Sequence, residues 1–181
     1  MDIWTSLGAF AFFESERLSF RPLIFLDRFD LHEIVSNPKN LQFFFPATQT
    51  QHETDCLLVH YFMKEPLGVW AIVDKELEKM IGVVRFEKID VQKRTAELGY
   101  FLNALYWGRG IMTETVTCLS DLALTAMGME RIILIAHLEN KASIRVAEKS
   151  GFKLVSRFKG ADRYTRTMRD YLRFEKEKNC E

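Results

Sequence analysis

The 181-residue chain balances 25 basic against 25 acidic residues, which argues against a nucleic-acid surface built from overall charge. Its hydrophobic content of 48% suits one globular domain, and no run approaches the roughly 18 apolar residues that a membrane span requires. Three scattered cysteines, Cys56, Cys118 and Cys180, give no disulfide framework, which favours a reducing, cytoplasmic environment.

The first half of the chain alternates between strand-like and helix-like patterns. Residues 1–15 form an appended segment whose aromatic side chains are expected to pack on the domain itself or on a second subunit, as in a homodimer. The helices and strands that follow are predicted from apolar periodicity and from stop signals. In chain order they are a strand over 17–23, helices over 27–36 and 51–64, and strands over 68–73, 80–88 and 96–102.

The second half predicts strand–helix–strand crossovers and a closing hairpin. A helix over 113–127 ends at Gly128, and a continuous apolar strand over 131–137 suggests burial on both faces between parallel neighbours. Asn140 caps a helix over 141–150, and two final strands cover 152–158 and 168–175. Hairpins early and crossovers late predict a mixed sheet.

A glycine-rich turn joins the strand over 96–102 to the helix over 113–127. Its glycines, Gly108 and Gly110, allow a tight turn and the close approach of a ligand. Peptide N–H groups at a helix start lack intrahelical partners and carry the positive end of the helix dipole. Strand, turn and helix together predict a phosphate cradle, although the same pattern also serves as a simple tight connection.

Three segments occur in a characteristic order and spacing: Ala96-Glu97-Leu98-Gly99-Tyr100-Phe101-Leu102, Trp107-Gly108-Arg109-Gly110-Ile111-Met112-Thr113-Glu114, and residues 139–152 with Asn140 and Ser143. In this combination the chain resembles the GCN5-related N-acetyltransferase (GNAT) family. It is most similar to the branch of Rim-type ribosomal-protein N-terminal acetyltransferases. The resemblance covers residues 16–176 and leaves 177–181 as a tail. The family's phosphate motif begins with Gln or Arg, where this chain has Trp107.

The resemblance implies an α/β (α+β mixed) single-domain fold. Its twisted mixed sheet would have about seven strands, splayed between the fourth and fifth, with about four helices. It also implies acetyl-CoA as the co-substrate, with the pyrophosphate on the glycine turn and the pantetheine arm near Asn140. The cofactor-binding positions that it implies are Phe101, Leu102, Gly108, Arg109, Gly110, Met112, Thr113 and Asn140.

Two residues are expected to be catalytic. Glu97 would accept the amine proton through water, or it is a structural carboxylate held by a neighbouring strand or by Arg94. In Rim-type relatives the serine at the position of Ser143 lies near the thioester sulfur, where it would protonate the leaving thiolate or donate a hydrogen bond to it; alternatively it caps the helix. Tyr100 and Tyr106 are alternative proton donors, or they pack in the core.

The resulting expectation is an N-acetyltransferase for a primary amine, either a protein N-terminus or a small molecule. A non-catalytic acyl-CoA-binding module is the main alternative. A nicotinamide-dinucleotide enzyme ranks last, because the third glycine of its fingerprint is missing. Phe43 to Pro46 would form the acceptor wall or belong to the core. The helical spacing of His52, Cys56 and His60 separates the outer pair by about 12 Å, too far to share a metal.

Overall fold

The computed structural model describes residues 1–162 and 164–178. Residues 179–181 of the expected tail, Cys180 among them, lie outside the described residues. The chain forms two compact units. The N-terminal unit comprises residues 7–85 and 100–111, and the C-terminal unit comprises residues 1–6, 86–99 and the described chain from Met112 onwards.

Eight strands form one mixed sheet. They are β1 (Phe13–Glu14), β2 (Leu18–Arg21), β3 (Val69–Asp74), β4 (Lys79–Asp90), β5 (Thr95–Leu102), β6 (Arg131–His137), β7 (Lys153–Ala161) and β8 (Met168–Glu177). Their order in the sheet is β1-β2-β3-β4-β5-β6-β8-β7. The pairs β1–β2, β2–β3, β3–β4, β6–β8 and β7–β8 are antiparallel, and β5–β6 is parallel. The predicted mixed sheet is confirmed.

Five α-helices accompany the sheet in the described chain: α1 (Ile3–Ala9), α2 (Arg28–Val35), α3 (Gln51–Leu57), α4 (Ile111–Thr125) and α5 (Lys141–Lys149). The order predicted from residue 17 onwards is confirmed. The expectation of about seven strands and four helices falls one short in each class, because the N-terminal segment itself forms α1 and β1. None of the described helices is long and apolar enough to cross a membrane.

Part of the N-terminal segment packs on the domain that follows it. Phe13 stacks on Phe20 with ring centroids 4.5 Å apart and contacts Trp70 edge-on at 5.6 Å. The indole nitrogen of Trp70 donates a hydrogen bond to the Phe10 carbonyl oxygen at 3.2 Å. Phe12 remains exposed. The segment therefore extends the sheet of the N-terminal unit by one short edge strand.

The predicted helix over 51–64 changes its hydrogen-bonding pattern halfway. Thr50 caps α3 in a capping box with Glu53, but Leu58–Met63 is a π-helical segment, in which the Lys64 amide donates to the Val59 carbonyl at 2.9 Å. One extra residue per hydrogen-bonded turn shifts the phase of the helix faces. Phe62 is consequently buried in the core while Tyr61 beside it is exposed.

The parallel ladder between β5 and β6 covers only the first four residues of each strand. Paired residues run from Thr95 with Arg131 to Leu98 with Leu134, whereas the strands continue to Leu102 and His137. The fourth and fifth predicted strands, between which the sheet was expected to splay, are β5 and β6, and their ladder ends partway along the pair.

The predicted burial of β6 on both faces is wrong. Its even-numbered residues are buried and its odd-numbered residues are only half-buried, and its second neighbour, β8, is antiparallel. A run of apolar residues does not distinguish a strand covered on both faces from one whose second face is partly open to solvent.

Candidate active site

The glycine turn before α4 has the backbone conformation that the sequence predicts. Gly108 and Gly110 have φ of +74° and +73°, a region that residues with a side chain rarely adopt. Both glycines are exposed. A Cβ atom at Gly108 would meet no atom within 4 Å. Open space above an exposed glycine backbone fits a phosphate group, which needs peptide N–H groups that no side chain shields.

Hydrogen bonds hold residues 102–107, just before this turn, in place within the N-terminal unit. The Trp107 indole nitrogen donates to the Leu102 carbonyl at 3.0 Å. The Ala104 amide donates to the Asn40 side chain at 2.8 Å, and the Asn103 side-chain amide donates to Glu33 at 2.9 Å. The turn is therefore held in a preformed shape, and its Trp107 contributes a structural anchor where the family motif has Gln or Arg.

Two arginines lie at the turn. The Arg17 guanidinium donates to the Arg109 carbonyl at 2.9 Å and would lie 3.6 Å from a Cβ atom at Gly110. The Arg109 guanidinium lies over the Tyr106 ring, 5.4 Å from its centroid. Arg109 was predicted, but Arg17 was not, because it precedes the turn by 92 residues. Together they place positive charge at the turn.

Phe101 and Leu102 at the end of β5 are buried in the core of the N-terminal unit. Phe101 contacts the rings of Phe44, Phe45 and Phe62 at 5.9–6.1 Å. Their side chains are thus engaged in packing, and only the backbone of these residues remains as a donor or acceptor for a cofactor. Phe44 and Phe45, expected in an acceptor wall or in the core, pack partly buried against that core.

Glu97 lies on the partly exposed face of β5. It is in register with Ile133 of β6, and its side chain is 21% exposed, with the Lys88 amine 3.6 Å from a carboxylate oxygen. Arg94, the alternative partner, instead donates to the Gly128 carbonyl at 2.6 Å and pairs with Glu130 at 3.3 Å. Glu97 is therefore solvent-accessible and lightly paired, which is compatible with water-mediated proton transfer as well as with a structural role.

Asn140 is the N-cap of α5, as predicted: its side-chain oxygen accepts from the Ser143 amide at 3.1 Å. The capping role that Ser143 was considered for thus belongs to Asn140, and Ser143 contributes its backbone N–H to the cap while its side chain is buried. At the other end of α5, the Ser150 hydroxyl reaches the Thr113 carbonyl at 3.4 Å. This contact ties α5 to the first turn of α4, where Met112 is buried and Thr113 half-buried.

The two tyrosines considered as alternative donors differ in their surroundings. Tyr106 is buried, with Arg109 over its ring, so packing accounts for its position. Tyr100 on β5 is half-buried. Among the described residues, no cluster of three or more His, Cys, Asp or Glu side chains is arranged to hold a metal.

A partly buried histidine, which the sequence analysis did not single out, ends β6. The His137 imidazole lies 3.6 Å from the Asp162 carboxylate, and its ring packs on Tyr171 with centroids 4.5 Å apart. Burial lowers the pKa of His137; the Asp162 and Glu139 carboxylates raise it and Arg169 lowers it. Hydrogen bonds from the Thr165 and Tyr164 amides and the Thr165 hydroxyl lower the pKa of Asp162, which keeps that carboxylate ionised.

Replacing Asp162 with asparagine is expected to lower the pKa of His137 further, because the carboxylate that favours the imidazolium is lost. Since the pKa of folded His137 lies below its unfolded value of about 6.5, the unfolded chain takes up this proton first as pH falls. The lowered pKa of His137 therefore reduces the free energy of unfolding as pH falls below about 6.5, and Asp162→Asn should make this reduction larger. A proton NMR titration of the histidine ring signals measures the shift, with Asp90→Asn at the end of β4 as control; an unchanged or raised value would contradict the assignment.

Comparisons with known proteins identify first the fold of this chain and then its family. The fold is shared with the microcin C7 self-immunity acetyltransferase MccE, solved in complex with acetyl-CoA and AMP: the TM-score is 0.80 and the identity 20%, over 90% of this chain and 93% of that one. The N-acetyltransferase YoaA of Bacillus subtilis (strain 168) is 24% identical over 148 residues, 80% of this chain and 84% of the relative. The ribosomal-protein-serine acetyltransferase of Escherichia coli (strain K12) is 29% identical over 85 residues, covering 47% of this chain and 48% of the relative.

A family model, described as the acetyltransferase (GNAT) domain, matches residues 17–153. The chain belongs to this family and is an acetyltransferase. The resemblance to the GNAT family is confirmed, and a ribosomal-protein-serine acetyltransferase is among the proteins to which the chain is similar. Membership favours an enzyme over a non-catalytic acyl-CoA-binding module, and the nicotinamide alternative is wrong.

Proposed function

We propose that this protein transfers an acetyl group from acetyl-CoA to a primary amine by direct attack within a ternary complex. The observation that carries the proposal is the turn before α4, with two exposed glycines at positive φ and open space at the Cβ position of Gly108. A fold shared with a protein solved with acetyl-CoA supports the choice of donor. The donor supplies an activated thioester; the protein supplies binding, orientation and proton transfer.

The residues proposed to hold the donor act mainly through their backbone. The peptide N–H groups of Gly108 to Gly110 and of the first turn of α4, at Met112 and Thr113, would donate to the pyrophosphate. The guanidinium groups of Arg17 and Arg109 add positive charge at the same turn. Asn140 would contact the pantetheine arm while it caps α5.

Glu97 and Ser143 are proposed to handle the protons. An alkyl amine is mostly protonated at neutral pH and cannot attack until it loses a proton. Glu97, partly exposed on β5, accepts that proton through water. Ser143, buried in the first turn of α5, donates a hydrogen bond to the departing sulfur, on which negative charge grows during the reaction.

A peptide N-terminus is the favoured acceptor class, and a small amine is the alternative. The name of the E. coli relative describes acetylation of a ribosomal protein at serine, which is the reason for placing peptides first. Such an acceptor would be met in the cytoplasm, the compartment expected from the sequence.

A thiol-release screen tests the proposal. Purified protein is incubated with acetyl-CoA and a panel of peptides, polyamines, amino sugars and amino acids, and free thiol is measured against a reaction without acceptor. Thiol release that depends on one acceptor class, with an acetylated product in the mass spectrum, is the expected result. Tight donor binding without turnover of any amine would contradict the proposed function.

Ser143→Ala is expected to lower the single-turnover rate by about tenfold while donor affinity changes less than twofold, because the hydroxyl assists most when charge has developed on sulfur. The cap of α5 should be retained, since it uses the Ser143 backbone and the Asn140 side chain.

Asn140→Ala is the matched comparison for this variant. It removes the cap and should cost about 1 kcal/mol of stability. A normal single-turnover rate in Ser143→Ala, measured on the preparation used for melting, would remove Ser143 from the mechanism and leave Tyr100 and water as donors.

A further inference from the structure

An apolar surface patch lies where the chain of the N-terminal unit enters α2. The residues that form it are Ile24, Phe25, Leu26 and Phe29, whose exposed fractions are 43, 46, 79 and 65%. Phe25 and Leu26 lie four and three positions before Phe29 on one helical segment, a 3-10 turn over Phe25–Asp27 followed by α2, so these side chains share a face. We refer to these four residues as the α2 patch.

Arg28 holds the two rings of the α2 patch in place. Its guanidinium carbon lies 5.0 Å from the centroid of the Phe25 ring and 5.1 Å from that of Phe29. The same guanidinium donates two hydrogen bonds to the Asp55 carboxylate on α3, the one from Nε at 2.8 Å. The Gln51 side chain donates to the Arg28 carbonyl at 3.1 Å and to the Asp55 carboxylate at 3.0 Å. The patch is therefore preorganised, and little conformational entropy is lost when a partner covers it.

The apolar area of the α2 patch is large for a surface without a partner. With about 200 Å² for each fully exposed side chain of this size, the four residues expose on the order of 450 Å². Apolar side chains exposed singly are ordinary, but a contiguous patch of this size equals the largest patch of a typical monomer, which often serves binding. A stable interface buries about 800 Å² on each partner. The patch would supply more than half of that area.

The charges beside the patch favour a second copy of this chain as the partner. Arg28 is neutralised by Asp55, and Lys79 pairs with Asp30 at 3.8 Å and with Glu33 at 2.6 Å on α2. Two identical patches would therefore meet without bringing net charge of one sign together. Membrane-surface helices instead carry cations that are available to lipid headgroups. Homodimer interfaces are also more apolar than the contacts of transient partners, which agrees with a patch of two rings and two aliphatic side chains.

We propose that the protein forms a homodimer in which two α2 patches pack against each other about a twofold axis. In such an isologous contact the same surface is used by both subunits, so every patch residue is buried twice. The inference does not depend on the proposed acetyl transfer. It assigns the subunit contact to α2 and not to residues 1–15, whose ring Phe13 packs within its own chain on Phe20 and Trp70.

Sedimentation velocity over a range of protein concentrations tests the contact. The wild-type protein is expected to sediment as a dimer with a dissociation constant of about 1 µM or tighter, as an interface of standard size allows. Leu26→Glu should raise this constant by at least about a hundredfold, because the twofold axis places two unpaired carboxylates in the apolar contact. Leu77→Glu in the turn between β3 and β4 is the matched control, since Leu77 is 59% exposed; it should keep the wild-type constant. Circular dichroism melting checks that both variants fold.

Hydrogen exchange gives a second readout that needs no substitution. Amides of residues 24–29 should gain protection as the protein concentration rises through the dissociation constant, whereas amides of the turn over 75–78 should not. A wild-type protein that stays monomeric, or a dimer that Leu26→Glu leaves intact, would overturn the inference. Binding of phosphatidylserine vesicles or of an acceptor peptide by a monomeric wild-type protein, lost in Leu26→Glu, would assign the patch to that occupant instead. Neither measurement requires turnover, so failure of the proposed function would leave the result unaffected.

Discussion

Gly110→Val is expected to weaken acetyl-CoA binding at least tenfold, which corresponds to about 1.4 kcal/mol. Gly110 has a φ of +73°, which a β-branched residue adopts only with strain. Relief of that strain would rotate the peptide groups of the turn, and the new side chain would occupy the exposed space above them. Both effects withdraw N–H donors from the phosphates. Titration calorimetry with acetyl-CoA measures the loss.

Gly151→Val separates backbone strain from the loss of the phosphate site. Gly151 follows α5 with a φ of +82°, and a Cβ atom there would make only an ordinary contact, 3.8 Å from the Lys176 side chain. This variant should lose a similar amount of thermal stability and keep wild-type donor affinity. If Gly110→Val folds and binds acetyl-CoA as tightly as the wild-type protein, the cofactor lies elsewhere.

The elements with strong local signals were predictable from the sequence. Gly151 follows the end of α5 and Gly128 lies three residues after the end of α4, both with positive φ. Asn140 caps α5. Each of these features depends on a few neighbouring residues. The positive φ at Gly108 and Gly110 follows from the same logic. These local signals predict the order of strands and helices, and that order in turn predicts the mixed sheet.

Features that depend on distant residues were not predictable in this way. Arg17 reaches the carbonyl of Arg109 across 92 positions of sequence, and no local pattern indicates that contact. The π-helical segment after α3 has the same apolar spacing as an α-helix, so periodicity could not distinguish them. Arg85 reads as an ordinary outward residue of a strand until the rings of Tyr61 and Phe62 are seen to enclose it.

The same dependence on distant residues applies to the surroundings of the candidate catalytic residues. The position of Ser143 in the first turn of α5 was predictable, but its separation from the capping role was not, because that depends on which side chain accepts the amide. Likewise, the choice between Arg94 and Lys88 as the neighbour of Glu97 depends on strand pairing and on the contact of Arg94 with Gly128 and Glu130.

Glu97→Gln is expected to lower kcat on the order of 100-fold while acetyl-CoA affinity stays within twofold. Proton transfer by a positioned carboxylate typically contributes this much or more, and the isosteric amide cannot accept the proton. The loss should be largest below the pKa of the acceptor amine, where most of the substrate arrives protonated, and should shrink as pH rises and the neutral amine accumulates. A pH–rate profile of kcat and kcat/KM, with one acceptor throughout, shows this dependence directly.

Lys88→Gln distinguishes a base from a structural carboxylate at this position. It removes the cation 3.6 Å from Glu97 and leaves the carboxylate in place. If pairing were the function of Glu97, both variants would lose similar stability and neither would change the shape of the pH–rate profile. If Glu97 is the base, Lys88→Gln keeps the wild-type profile within about twofold, because a partly exposed ion pair contributes little, and only Glu97→Gln shows a loss of rate that grows as pH falls. A Glu97→Gln profile equal to wild type in height and shape would assign proton transfer to another group.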